Sequence, residues 1–156
     1  MPMKRIKLLL FLLICCFCIP SYAQPNKMDL NGLEIGKVYT KQQVIDIMGE
    51  PRAYRRHDSE FGLDESYYYG ERTELDFQHD GEFYFFTVQD SKYAILTLYI
   101  KGGICVGENL SVMKKVGLPM KKVKDDEYVV YINYEPLFIA VNSDNTIRRL
   151  SYVVRD

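Results

Sequence analysis

The sequence predicts an α+β fold: two tandem repeats, each a short helix followed by an antiparallel meander of three or four strands. Three observations carry this expectation. A pattern of glycine, capping residue, apolar stripe and Gly-x-Pro occurs twice, at 35–51 and 106–119. Each copy is followed by alternating apolar runs separated by turn residues. The helical segments precede the strands instead of alternating with them, which is the order of an α+β chain and not of a parallel sheet.

The elements follow in order. Residues 1–23 read as a signal peptide. Lys4, Arg5 and Lys7 form a basic start, and "LLLFLLICCFCI" (8–19) is an apolar run too short to span a bilayer comfortably. Pro20 breaks that run. "SYA" (21–23) offers small residues for cleavage after Ala23, so the chain is expected to be exported, to the periplasm or outside the cell. Lipid anchoring is the less favoured outcome, because bulky Ile14, Cys15 and Phe17 precede Cys15, Cys16 and Cys18.

Repeat 1 is expected to span 24–96. In "IGKVYTKQQVIDIMGEP" (35–51), Thr40 and Gln43 have capping-box spacing. Val44, Ile47 and Met48 form an apolar stripe, and Gly49 with Pro51 ends the segment. A helix over 40–48 follows. "RAYRRHDSEFGLDE" (52–65) reads as a loop. Strands are expected at 66–70, 73–78 and 82–89, with "HDG" (79–81) as a turn. "YAILTLYI" (93–100) reads as a further strand.

Repeat 2 is expected over 97–156. In "VGENLSVMKKVGLP" (106–119), Gly107 matches Gly36, Ser111 matches Thr40 as the cap, and Gly117 and Pro119 match Gly49 and Pro51. This copy is three residues shorter, close to one helical turn, so its apolar face keeps roughly the same direction. The predicted elements are a helix over 111–116 and strands at 128–134, 136–142 and 146–154.

These motifs resemble the BamE-type (SmpA/OmlA-like) outer-membrane lipoproteins, in which a glycine and a Thr- or Ser-capped helix lead into aromatic strands. "MGEP", "VGLP" and "YYYG" carry the likeness. Two such units in tandem resemble the beta-lactamase inhibitory protein family. The chain differs from BamE-type proteins in having two units and no favourable lipidation cysteine. The resemblance implies a binding role in the cell envelope, with no inhibitory loop transferable residue by residue.

Composition excludes several function classes. The formal net charge is −1, and the leader removes three cations and no acid, so the remainder is more acidic still. No basic run is left to track a phosphate backbone, and nucleic acid is not an expected partner. Four cysteines fall to one, Cys105, after the leader, so no intramolecular disulfide is expected. "KGGICVGENLS" (101–111) has the glycine spacing of a phosphate loop. Glu108 and Asn109, however, stand where Lys and Ser or Thr would face phosphates and Mg²⁺.

Catalytic constellations are equally thin. His57 and His79 are the only histidines, each followed by an aspartate, and structural zinc needs about four ligands. Cys105 sits between Ile104 and Val106 and reads as a small buried hydrophobe. No catalytic residue, metal ligand or cofactor is therefore expected. The aromatic strands point elsewhere. Both faces of "SYYYG" and "EFYFFTVQ" carry rings, and Tyr67, Tyr69, Tyr84 and Phe86 are the expected partner-binding face. The function expected is a non-enzymatic protein-interaction module of the envelope with a protein or peptide partner. A secreted enzyme inhibitor is the alternative, followed by a hydrolase or metal enzyme using His57 and His79.

Overall fold

A computed structural model describes residues 24–153. The expected signal peptide at 1–23 lies outside the described residues. Strands dominate the rest. They are β1 (Asp29–Leu30), β2 (Leu33–Glu34), β3 (Ala53–Ser59), β4 (Gly62–Tyr69), β5 (Thr73–Phe77), β6 (Phe83–Val88), β7 (Ala94–Ile95), β8 (Ile104–Cys105), β9 (Met120–Lys124), β10 (Glu127–Ile132), β11 (Glu135–Val141) and β12 (Ile147–Tyr152). One α-helix, α1 (Lys41–Met48), and one 3₁₀ helix (Leu110–Val116) accompany them.

This overturns the expected α+β arrangement of two helix-plus-meander repeats. The strands make two antiparallel sheets, a small one ordered β2-β1-β7-β8 and a large one ordered β3-β4-β5-β6-β12-β11-β10-β9. The large sheet is continuous, because β6 pairs with β12 through Phe86↔Tyr152, Thr87↔Ser151 and Val88↔Leu150. The small sheet is tied across the expected boundary at 96/97, since β7 pairs with both β1 and β8.

Two strands arise where polar loops were expected. β3 lies within 52–65, and β9 is the sequence "MKKVK". They are the two edges of the large sheet. An edge strand has solvent on one flank and needs little apolar pattern, and edge charges discourage pairing with other chains. The expected strand 93–100 is instead cut short after Ile95. Leu96 takes φ +58, and the Ile100 amide donates back to the Leu96 carbonyl at 2.9 Å. Asp29 holds that corner. Its fully buried carboxylate accepts from the amides of Gly32 (3.0 Å), Thr97 (3.0 Å) and Leu98 (3.2 Å), and from the Thr97 hydroxyl.

The helix α1 forms where its caps require. Thr40 Oγ1 accepts from the Gln43 amide and Gln43 Oε1 accepts from the Thr40 amide, closing a capping box. Val44 and Met48 are buried, while Ile47, expected in the stripe, is exposed. The second helix departs further. It is 3₁₀, and its N-cap is Asn109, whose side chain accepts from the Ser111 amide, so Ser111 is not the cap. Leu110, Met113 and Val116 are buried at a spacing of three, the period of a 3₁₀ helix. The glycine pair at 102–103 belongs to the β7–β8 hairpin. A Cβ on Gly103 would lie 2.7 Å from the Ile95 carbonyl oxygen, and its φ is +63. That close approach accounts for Gly103, and positive φ angles at Gly102 (+81) and Gly107 (+92) account for the other two glycines of "KGGICVG" without a phosphate.

One core joins these parts. Val44 and Met48 of α1, Met113 and Val116 of the 3₁₀ helix, and Leu30 and Ile95 of the small sheet all pack in one cluster with the inner face of the large sheet. The pairing register defines that face as an unbroken row: Tyr54–Tyr67–Leu75–Phe86–Tyr152–Leu137–Val130–Met120. The opposite, outer face carries the row Ala53–Tyr68–Glu74–Thr87–Ser151–Phe138–Val129–Lys121.

Candidate functional site: the outer face of the large sheet

The expected binding face is corrected by this register. Tyr67 (1% exposed), Tyr69 (2%) and Phe86 (0%) lie in the core, and only Tyr84 of the four is half-buried. Tyr67 meets Phe77 edge-on at 5.2 Å, and Phe86 stacks between Phe83 and Tyr152 at 6.1 and 6.2 Å. The Tyr69 hydroxyl donates to the Gly49 carbonyl at 3.1 Å, fastening the end of α1 to the sheet. These rings hold the fold together.

Tyr84 escapes because it sits in a bulge. Asp76 pairs with Phe85 and Phe77 with Phe83, leaving Tyr84 as the extra residue. Phe83 and Phe86 then both face the core, although three residues apart, and Phe85 turns outward. Strict alternation would assign Tyr84 and Phe86 to one face, which is why reading the strand by period two chose the wrong rings.

The outer face combines rings, a small-residue floor and a carboxylate cluster. Ser66, Ala140 and Ser151 are buried, while Tyr68, Phe85 and Phe138 stand half-buried around them. Arg55 lies over the Tyr68 ring at 5.5 Å. Where the two halves of the sheet meet, a groove of about 440 Å³ is lined by Phe85, Thr87, Phe138 and Ser151 and by the ion pair Arg149–Glu127 (2.9 Å). A second cleft of about 330 Å³ lies beside the β3–β4 hairpin, lined by Phe61, Asp64, His79 and Tyr84.

Asp76 dominates the electrostatics of this face. Burial pushes its carboxyl up to about 6, reinforced by Glu74 and Asp64 and opposed by the neighbouring Ser66 hydroxyl and His57. Its Oδ1 is a buried oxygen with no hydrogen-bond partner. Burial, with the charges of Asp76 and Asp64, pushes the Tyr84 phenol up to about 12. Glu65, on the inner side at the sheet's edge, behaves oppositely. Burial raises its carboxyl, but hydrogen bonds from Tyr54, Tyr67 and Arg56 outweigh that and hold it below the usual range.

The residues weighed for chemistry do not converge. His57 is exposed on β3 opposite Asp64, and His79 is exposed against Gly62. Among the described residues, no three His, Cys, Asp or Glu side chains form a group able to hold a metal. Cys105 is a free, half-buried thiol whose pKa is raised by burial and by Glu108. Among the described residues, no helix is long and apolar enough to cross a membrane. No protein-family model, curated protein or solved structure matches the chain.

Proposed function

We propose that this chain is an exported, non-enzymatic protein-interaction module of the cell envelope, and that it receives a folded protein partner on the outer face of its large sheet. The observation that carries this reading is the outer row itself. A solvated sheet face is ordinarily studded with long charged residues. Here the centre of the row is Tyr68, Glu74, Thr87, Ser151, Phe138 and Val129, with Phe85 beside it, so a single long charged residue interrupts it. Aromatic residues around a small-residue floor, with few charges among them, are the anatomy of a binding patch.

Size and edges support the same reading. Eight strands span about 34 Å at their usual spacing, and six residues of strand span about 20 Å. The face therefore offers roughly 700 Å², near the ~800 Å² per partner of a standard interface. The edges are poor docking strands, since β3 carries Arg55, Arg56 and His57 and β9 carries Lys121, Lys122 and Lys124.

The test is site-directed photo-crosslinking in envelope extracts, followed by reconstitution with the captured protein. Crosslinkers replacing Phe85 and Tyr131, which is exposed and follows Val129 by two residues on β10 and so shares the outer face, are expected to capture one common partner. Crosslinkers at exposed Ile47 and Leu98, on other surfaces, are expected not to capture it. With the purified partner, Tyr131→Asp should weaken binding about tenfold while leaving the unfolding midpoint unchanged. Equal capture from Ile47 and Leu98, or an unaltered affinity, overturns the assignment of this face.

A further inference from the structure

On the opposite side of the molecule, three segments enclose a cleft of about 570 Å³, within the usual range for small-molecule sites. One wall is the loop after β7, with Tyr99 and Ile100. Another is the end of the 3₁₀ helix, with Val116 and Gly117. The strap 24–26 closes the third side. Gln24 Nε2 donates to the Gly117 carbonyl at 3.3 Å, the Tyr99 hydroxyl donates to Asn26 Oδ1 at 2.7 Å, and Pro25 between them is buried.

The chemistry of this cleft is one-sided. Its body is apolar: Pro25, Ile100, Val116 and the Tyr99 ring. Three exposed lysines, Lys101, Lys114 and Lys115, are among its lining residues. None of the described residues lining it is acidic. The carboxylates behind it are already engaged, Asp29 by its four donors and Glu34 by Lys37 at 3.6 Å. Three cations around an apolar cleft, in a chain of net negative charge, form a local inversion of sign.

We infer that this cleft binds an amphiphilic monoanion, a free medium-chain carboxylate whose tail lies over Tyr99 and Ile100, backed by buried Pro25 and Val116, and whose head is held by Lys101, Lys114 and Lys115. The inference is independent of the protein-binding reading of the outer face. Tail burial supplies affinity in proportion to the methylenes removed from water, and the lysines select the charge of the head. A cationic head on the same tail meets three like charges.

Isothermal titration of the chain, purified from cells in the form they leave it, tests this at pH 7.5. The probes are hexanoate, octanoate and decanoate below their micellar concentrations, and decyltrimethylammonium. The expected result is saturable one-to-one binding that tightens by up to about fourfold per added methylene, with no binding of the cation. Lys114→Glu with Lys115→Glu should weaken decanoate at least fivefold, and Lys101→Glu alone should weaken it measurably. All three side chains are exposed, so circular dichroism and the melting temperature should be unchanged. Absence of saturable decanoate binding overturns the inference. So does equal binding of the cation, indifference to all the lysine substitutions, or binding only to anionic vesicles.

Discussion

At the scale of single residues, Asp76 is where the sheet works against itself. It faces outward beside Ser66 and Phe85, with an unpartnered buried oxygen and a carboxyl raised to about 6 against an ordinary 3.8. The folded protein thus holds this proton more tightly than the unfolded chain does. The stability linked to it is fully present below about pH 3.8 and lost as pH rises through about 6. Asp76→Asn should therefore stabilise the protein by about 1–2 kcal/mol at pH 8, a figure discounted for the residue's partial exposure. The gain should vanish at pH 3.5, where both states of the parent carry the proton. Urea unfolding of the two proteins at both pH values checks this. Comparison with the variant is needed because Glu65, held low by Tyr54, Tyr67 and Arg56, loses its contribution as pH falls. None of this was legible in "TELDFQ", where Asp76 reads as one polar residue of an alternating strand. Its properties come from neighbours on other strands.

At the scale of elements, α1 is local and was readable. The Thr40–Gln43 box, the Val44–Met48 pair and the Gly49–Pro51 stop all lie within a dozen residues. Thr40→Ala removes one half of the box and should cost about 1 kcal/mol, read as a lowered urea midpoint with unchanged slope. The 3₁₀ helix was partly readable. Its apolar residues at 110, 113 and 116 spell a period of three, but the likeness to the first copy places the cap at Ser111 in place of Asn109. β3 and β9 were not readable, because an edge strand with charged side chains lacks the alternation that marks a half-buried one. β7 failed for the opposite reason. "YAILTLYI" has ample strand propensity, but Asp29, far away in sequence, captures the amides of Thr97 and Leu98 and forces the turn.

At the scale of the whole molecule, the seam between β6 and β12 joins two four-stranded halves into one eight-stranded sheet. Phe86 sits on it, paired to Leu75 on one side and Tyr152 on the other. Phe86→Ala should cost about 3–5 kcal/mol. Phe85→Ala, one residue away on the outer face, should cost only about 1 kcal/mol. Chemical denaturation of the two variants distinguishes them, and similar costs would contradict the bulge at Tyr84.

What depends on near neighbours was legible in local pattern: the helix α1 and its caps, six of the strands, and a single cysteine among residues 24–153. Tertiary structure alone decided which rings are core and which are surface. A period-two strand has two equivalent faces until something packs on one, and a single bulge exchanges them. It also decided that one eight-stranded sheet, and not two helix-led units, organises the chain. That outcome rests on pairing β6 with β12, residues about sixty apart in the chain, whose backbone hydrogen bonds leave no trace in local pattern.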